Sequence, residues 1–120
     1  MPYPSFMRAV VVETETYRAR AARLLSEAER EELRAHLAER PTAHDVIPGL
    51  GGLRKARWGQ PSRNKGKRGG VRVIYFYALS AHLVALLDVY SKEEKGDLSH
   101  ADKKRLRAAL EAVKRSVSKT

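Results

Sequence analysis

At 120 residues, with a formal charge of +10 and no cysteine, the chain is expected to form one domain with a modest core and no disulfide or thiolate–metal site. No apolar run approaches the roughly 20 residues of a membrane span. MPYPSFMRAVVVETE has too short an apolar stretch, and acids too soon after it, for a secretory signal, so a soluble cytoplasmic protein is expected.

In chain order, MRAVVVETE predicts a first strand over about 7–13. Thr14 or Thr16 then caps a helix whose Tyr17, Ala21, Leu24 and Leu25 share one face. Ser26 and Glu29 have capping-box spacing, Leu33 and Leu37 form a stripe, and Pro41 ends the second helix. Together they predict a helical hairpin, or one bent helix, over roughly 15–39. PTAHDVIPGLGG (41–52) is a loop, LRKARW (53–58) a second strand, and GQPSRNKGKRGG (59–70) a long cationic hairpin loop. VRVIYFYAL (71–79) is β-branched and aromatic, hence a third strand. LVALLDVY (83–90) is nearly continuously apolar, hence a central fourth. Ser99 and Asp102 repeat the capping spacing and open a last helix over about 100–116, with Leu106, Leu110, Val113 and Val117 on one face. The order β-α-α-β-β-β-α describes one small α+β domain over residues 1–120. Its last three strands form an antiparallel meander, the helical hairpin packs on one sheet face, and the other face or its rim is left to the basic residues.

The charge is concentrated. Residues 53–72 hold eight Lys/Arg and no acid, whereas 1–52 hold seven against eight Asp/Glu and 73–120 nine against six. A basic block within a domain points to a polyanion rather than to solubility alone. Lys55 and Arg57 are two apart, so an extended chain turns both to one face, and Arg72 follows Gly69–Gly70 on the next strand. Tyr90, Lys92 and Lys95 stand at the end of the fourth strand and just beyond it. These cations, interleaved with Trp58, Tyr75, Phe76, Tyr77 and Tyr90, suit RNA: guanidinium forks and ammonium groups bind phosphate, and rings stack bases. RNA also brings its own nucleophile, the 2′-hydroxyl, so a cleaving enzyme needs only to orient the strand, take a proton and stabilise the extra negative charge. A lysine crowded by cations can take that proton.

Lys55, Arg57, Arg72 and Lys92 are therefore the catalytic candidates. Arg54, Trp58, Arg63, Lys65, Lys67, Arg68, Tyr90 and Lys95 are candidates for RNA binding, with the cations of the hairpin loop steering rather than touching the reacting phosphate. By default Trp58, Tyr75 and Tyr77 pack in the core or at its edge, and Lys103, Lys104, Arg105 and Arg107 form a solvated helix face. His36, His44, His82 and His100 lack metal-ligand spacing and read as ordinary surface or satisfied histidines. No phosphate-binding Gly-x-x-x-x-Gly-Lys loop and no nucleophile–base pattern is present.

GLGGLRKARW, KRGGVRVIYFY and LLDVYSKEEKGDLSHADKKRLRAALEAVK, in this order over about 49–115, resemble the RelE/ParE superfamily of bacterial type II toxin–antitoxin toxins, and its HigB-type members in particular. The resemblance implies a small α/β fold with an antiparallel sheet and helices on one side. It also implies ribosome-dependent cleavage of mRNA in the decoding site without metal or other cofactor. The implied partner is a cognate helix-turn-helix, HigA-like antitoxin, with operator DNA reached only through it. By position, Lys55 falls on a lysine assigned to proton abstraction or charge stabilisation, Arg57 on an RNA contact, and Arg72 on the arginine that stabilises the transition-state phosphate. The pattern departs at its end: Lys92–Glu93 stands in place of a second arginine, and Ser99 in place of a base-stacking tyrosine, with Tyr90 and Lys95 nearby. A non-cleaving RNA or ribosome binder and a ParE-like gyrase poison are the competing readings.

Overall fold

In the computed structural model, which describes residues 3, 4 and 7–118, the elements follow the expected order. They are β1 (Val10–Glu13), α1 (Glu15–Leu24), α2 (Glu27–Glu39), β2 (Arg54–Trp58), β3 (Val71–Ala78), β4 (Leu83–Ser91) and α3 (His100–Ser118). The caps are those the spacing calls for. Thr14 Oγ1 accepts from the N–H of Tyr17. Ser26 and Glu29 make a reciprocal capping box, and Ser99 and Asp102 pair at 2.9 and 3.0 Å. β1 is shorter than 7–13 because the N–H of Ala9 is taken by the carbonyl of Ala38, at the end of α2.

The sheet order is β1-β4-β3-β2, with β4 central. The meander β2-β3-β4 is antiparallel, but β1 lies parallel to β4, Val10 opposite Leu83 through Glu13 opposite Leu86. The expected antiparallel sheet is thus mixed. Much of the chain between β1 and β4 is a crossover carried by the helical hairpin, the connection a parallel partner needs. The hairpin covers one face, where Tyr17, Leu24, Leu33 and Leu37 bury against Val73 and Tyr75. α3 covers the opposite face, where Leu106 and Leu110 bury against Ile74 and Leu87 with Leu50 and Leu53 of the loop before β2. Helices therefore lie on both sides, and the basic residues keep only the uncovered end of the second face.

Asp88 joins the layers. At the bulge where β4 slips against Ile74 and Tyr75, its fully buried carboxylate receives Arg20 Nη1 from α1 and Arg105 Nη2 from α3, both at 2.7 Å. Arg105 thus leaves the solvated face expected for it. Among the described residues no helix is long and apolar enough to cross a membrane.

Candidate functional site

β2 is an edge strand, and its outer side is half covered. Val46 bridges to Arg54, Lys55 donates its N–H to the carbonyl of Asp45 at 3.1 Å, and Ile47 donates to that of Leu53 at 2.7 Å. Since the N–H of Lys55 points outward, Lys55–Ile74 and, two residues on, Arg57–Arg72 are non-hydrogen-bonded pairs, the kind whose side chains come closest. Lys55, Arg57 and Arg72 therefore share one face, as the period of two predicts. Like charges directly opposite destabilise a sheet, so the Arg57–Arg72 pair is a cost that an anion between them would remove.

Lys55 and Arg57 line a groove of about 670 Å³ with Lys67 of the hairpin loop; His44, Asp45 and Ile47 of the pairing loop line it as well. Arg57 and Lys67 are exposed, and among the described residues neither side chain has an ion pair. Arg72 is only 5 % exposed and does not line the groove. Its Nη1 donates to the carbonyls of Lys67 (3.1 Å) and Val71 (3.3 Å), and its Nη2 to that of Arg68 (3.0 Å). Burial, then the neighbouring Arg57, lowers its pKa. Arg72 thus props up the hairpin that carries Lys67, with three of its five donors engaged.

The hairpin loop is an anchored arm. Gln60 Nε2 donates to the carbonyl of Leu24 at 2.6 Å, and Glu29 accepts from the N–H (2.9 Å) and Oγ (2.8 Å) of Ser62. Arg63 is likewise tied back, its Nη2 donating to the carbonyl of Arg23. At the base of the arm Gly70 passes so close to β2 that a Cβ there would sit 2.2 Å from the carbonyl oxygen of Trp58, which only glycine avoids.

The turn after β4 brings acids to the site. Asp97 lies 3.7 Å from Lys55 Nζ and Glu93 3.4 Å from Lys65 Nζ, both carboxylates 72 % exposed. Lys92 turns back onto its own loop, Nζ donating to the carbonyl of Gly96 at 3.3 Å. Lys95 sits 5.0 Å over the Tyr90 ring and bonds Asp102 at 2.7 Å. Neither reaches the groove wall. Tyr90 is 3 % exposed and its Oη has no hydrogen-bond partner among the described residues. Burial, then Asp97, pushes its phenol up to about 12. Trp58 and Arg54 face the helical hairpin instead: Trp58 stands 5.1 Å from His36, and Arg54 Nη1 donates to the carbonyl of His44 at 2.7 Å. Arg68 is exposed on the arm.

Two of the histidines satisfy each other. His36 Nε2 and His44 Nε2 are 2.8 Å apart, and His44 lines the groove. No spacing rule reveals the pair, because it closes across the turn at Pro41. His82 is satisfied, between Tyr77 Oη at 2.7 Å and the carbonyl of Met7 at 2.9 Å.

No protein-family model matches the chain. Among solved structures, the free E. coli toxin RelE, in a form with two arginines replaced by alanine, superposes with TM-score 0.53 at 19 % identity, covering 75 % of this chain and 90 % of that one. A chain of the toxin–antitoxin complex RelBE2 from Mycobacterium tuberculosis gives 0.55 at 22 % identity, covering 72 % and 93 %. The chain has the RelE fold. Within this RelE-like fold, the edge strand β2, the anchored arm and the turn 92–97 meet at one end of the sheet, and that end carries the groove.

Proposed function

We propose that this chain is the toxin of a bacterial type II toxin–antitoxin system, of HigB type within the RelE/ParE superfamily, and that it cuts mRNA on the ribosome. The observation that carries the reading is the convergence of Lys55, Arg57 and Lys67 on one groove, with Arg72 facing Arg57 across the strand pair. Of the three groove cations only Lys55 has a carboxylate partner among the described residues, the exposed Asp97, and a phosphate in the groove would offset their repulsion. The RelE-like fold and the toxin–antitoxin complex among its structural neighbours supply the context.

In the reaction, the 2′-hydroxyl attacks the adjacent phosphorus and the 5′-oxygen leaves. Arg57 and Lys55 offset the charge that develops on the phosphate oxygens. Because RNA supplies the nucleophile, the step as written needs neither metal nor cofactor. A helix-turn-helix antitoxin of HigA type is the proposed partner, and operator DNA is contacted only through it.

The test is purified protein added to translating ribosomes, with the 5′ ends of the mRNA mapped. Breaks are expected with the intact chain. Arg57→Ala is expected to lose about 10²–10³-fold in cleavage rate with a melting temperature no lower than that of the intact chain. Unbroken mRNA with ribosome-bound protein would make the chain a non-cleaving binder.

A further inference from the structure

We propose that His44 is the proton acceptor of the groove and that His36 is its positioning residue. The inference rests on the RNA-cleaving reading and fills the one role its cations leave open. A guanidinium keeps its proton, and a lysine accepts one only as the free amine. Lys55 has Asp97 against it at 3.7 Å. A neutral imidazole is the side chain suited to the task near pH 7.

His44 lines the same groove as Lys55, Arg57 and Lys67. It is held from three directions: its Nε2 by Nε2 of His36 at 2.8 Å, its ring by the edge-on Tyr75 at 6.3 Å, and its backbone carbonyl by Arg54 at 2.7 Å. Two ring nitrogens at this distance share one proton, so one ring donates and the other accepts. With His44 donating, its Nδ1 carries the lone pair. That atom makes no hydrogen bond among the described residues. It is also absent from the buried polar atoms without a partner there, which are Tyr17 Oη and Tyr90 Oη. Nδ1 is therefore not sealed off from solvent, on a residue that lines the groove.

His36 then acts as an orienting acceptor. By taking the Nε2–H of His44 it fixes the tautomer and stabilises the imidazolium that forms, the part a carboxylate plays behind other catalytic imidazoles. The charged groups around His44 are His36, Lys67, Asp45 and Arg54; those around His36 are Lys67, Arg40 and Glu39. Burial acts first on both rings, followed by Lys67 on His36 and by His36 and Lys67 on His44, and each imidazole is pushed below its ordinary value of 6.5. The lone pair is thus present at neutral pH.

The proton count closes. Nδ1 of His44 takes the 2′-O–H proton while O2′ bonds to phosphorus. The P–O5′ bond breaks, and O5′ takes a proton from the Lys55 ammonium. The products are a 2′,3′-cyclic phosphate and a 5′-hydroxyl, and solvent returns the proton from His44 to Lys55.

The test is single-turnover cleavage of ribosome-bound mRNA from about pH 5 to 8, with melting temperatures as a control. The intact chain is expected to lose rate on the acid side as His44 takes up a proton. His44→Gln is expected to be slower by about 10²–10⁴-fold and to lack that acid limb. His36→Ala should slow cleavage and shift the limb, and His36→Gln, whose amide oxygen can still accept Nε2–H, should recover most of the rate. Wild-type rate and wild-type acid limb in His44→Gln would overturn the assignment and leave the RNA-cleaving reading standing. A flat acid side in the intact chain would do the same without any variant. Unbroken mRNA with the intact chain would overturn both.

Discussion

Arg72 and Arg57 face each other across one strand pair, yet removing each has a different consequence. Arg57 is exposed and unpaired among the described residues, so its loss touches ligand and not shape. Arg72 holds the carbonyls of Lys67 and Arg68, so its loss releases the arm before it removes a charge. Hydrogen bonds to a charged group contribute about 1.5–3 kcal/mol. Arg72→Ala is therefore expected to lower unfolding free energy by about that amount in urea denaturation and to open the segment around Lys67 to protease, with cleavage abolished. Arg72→Lys keeps the charge but cannot hold two separate carbonyls with one fork, and is expected to remain unstable. Equal urea midpoints for Arg72→Ala and the intact chain would remove the propping role. The period of two was enough to place Lys55, Arg57 and Arg72 on one face. It could not show that Arg72 is buried under the arm, because its partners are backbone carbonyls of a loop whose conformation no local rule specifies.

The arm over residues 59–70 reads in sequence as a long cationic loop, and what anchors it lies 33 to 40 residues earlier in the chain. Glu29 is legible as a capping-box residue, but its hydrogen bonds to Ser62 are not, since a box spacing describes only its own helix. The same limit hid the parallel pairing of β1 and the side on which α3 packs. An amphipathic stripe says that a face is buried, not against which layer. The clip has a pH signature. Burial alone would raise the Glu29 carboxyl, but the N–H groups of Ser26 and Ser62 and both their hydroxyls outweigh it and hold its pKa below 4.5. A carboxyl depressed in the folded state adds stability above its unfolded value, about 4.3, and that stability is lost as pH falls through the folded value. Ser62→Ala removes the hydroxyl donor and leaves the backbone N–H in place. It is expected to leave the acid unfolding transition at higher pH than in the intact chain, as read by circular dichroism between about pH 2 and 5. An unmoved transition would mean that the clip is not what orders the arm.

Across the whole molecule, the excess charge is gathered at one end, and the acids of the 92–97 turn already stand where a polyanion would. Asp97 on Lys55 and Glu93 on Lys65 are exposed pairs, and such pairs contribute about 0–1 kcal/mol. A phosphate chain with counterions to release can displace them. With about three phosphates neutralised by Lys55, Arg57 and Lys67, single-stranded RNA should bind with a log–log salt slope near −2, a loss of about 20-fold between about 50 and 200 mM salt. A fluorescent RNA oligomer titrated at several salt concentrations measures the slope directly. Arg57→Ala should make it shallower by about 0.7. Asp97→Asn, which frees Lys55 without adding a cation, should raise affinity most at low salt, where the carboxylate it replaces is least screened. A slope near zero would mean that the groove meets its target without neutralising phosphates, and the target would then be a protein surface such as a gyrase rather than RNA.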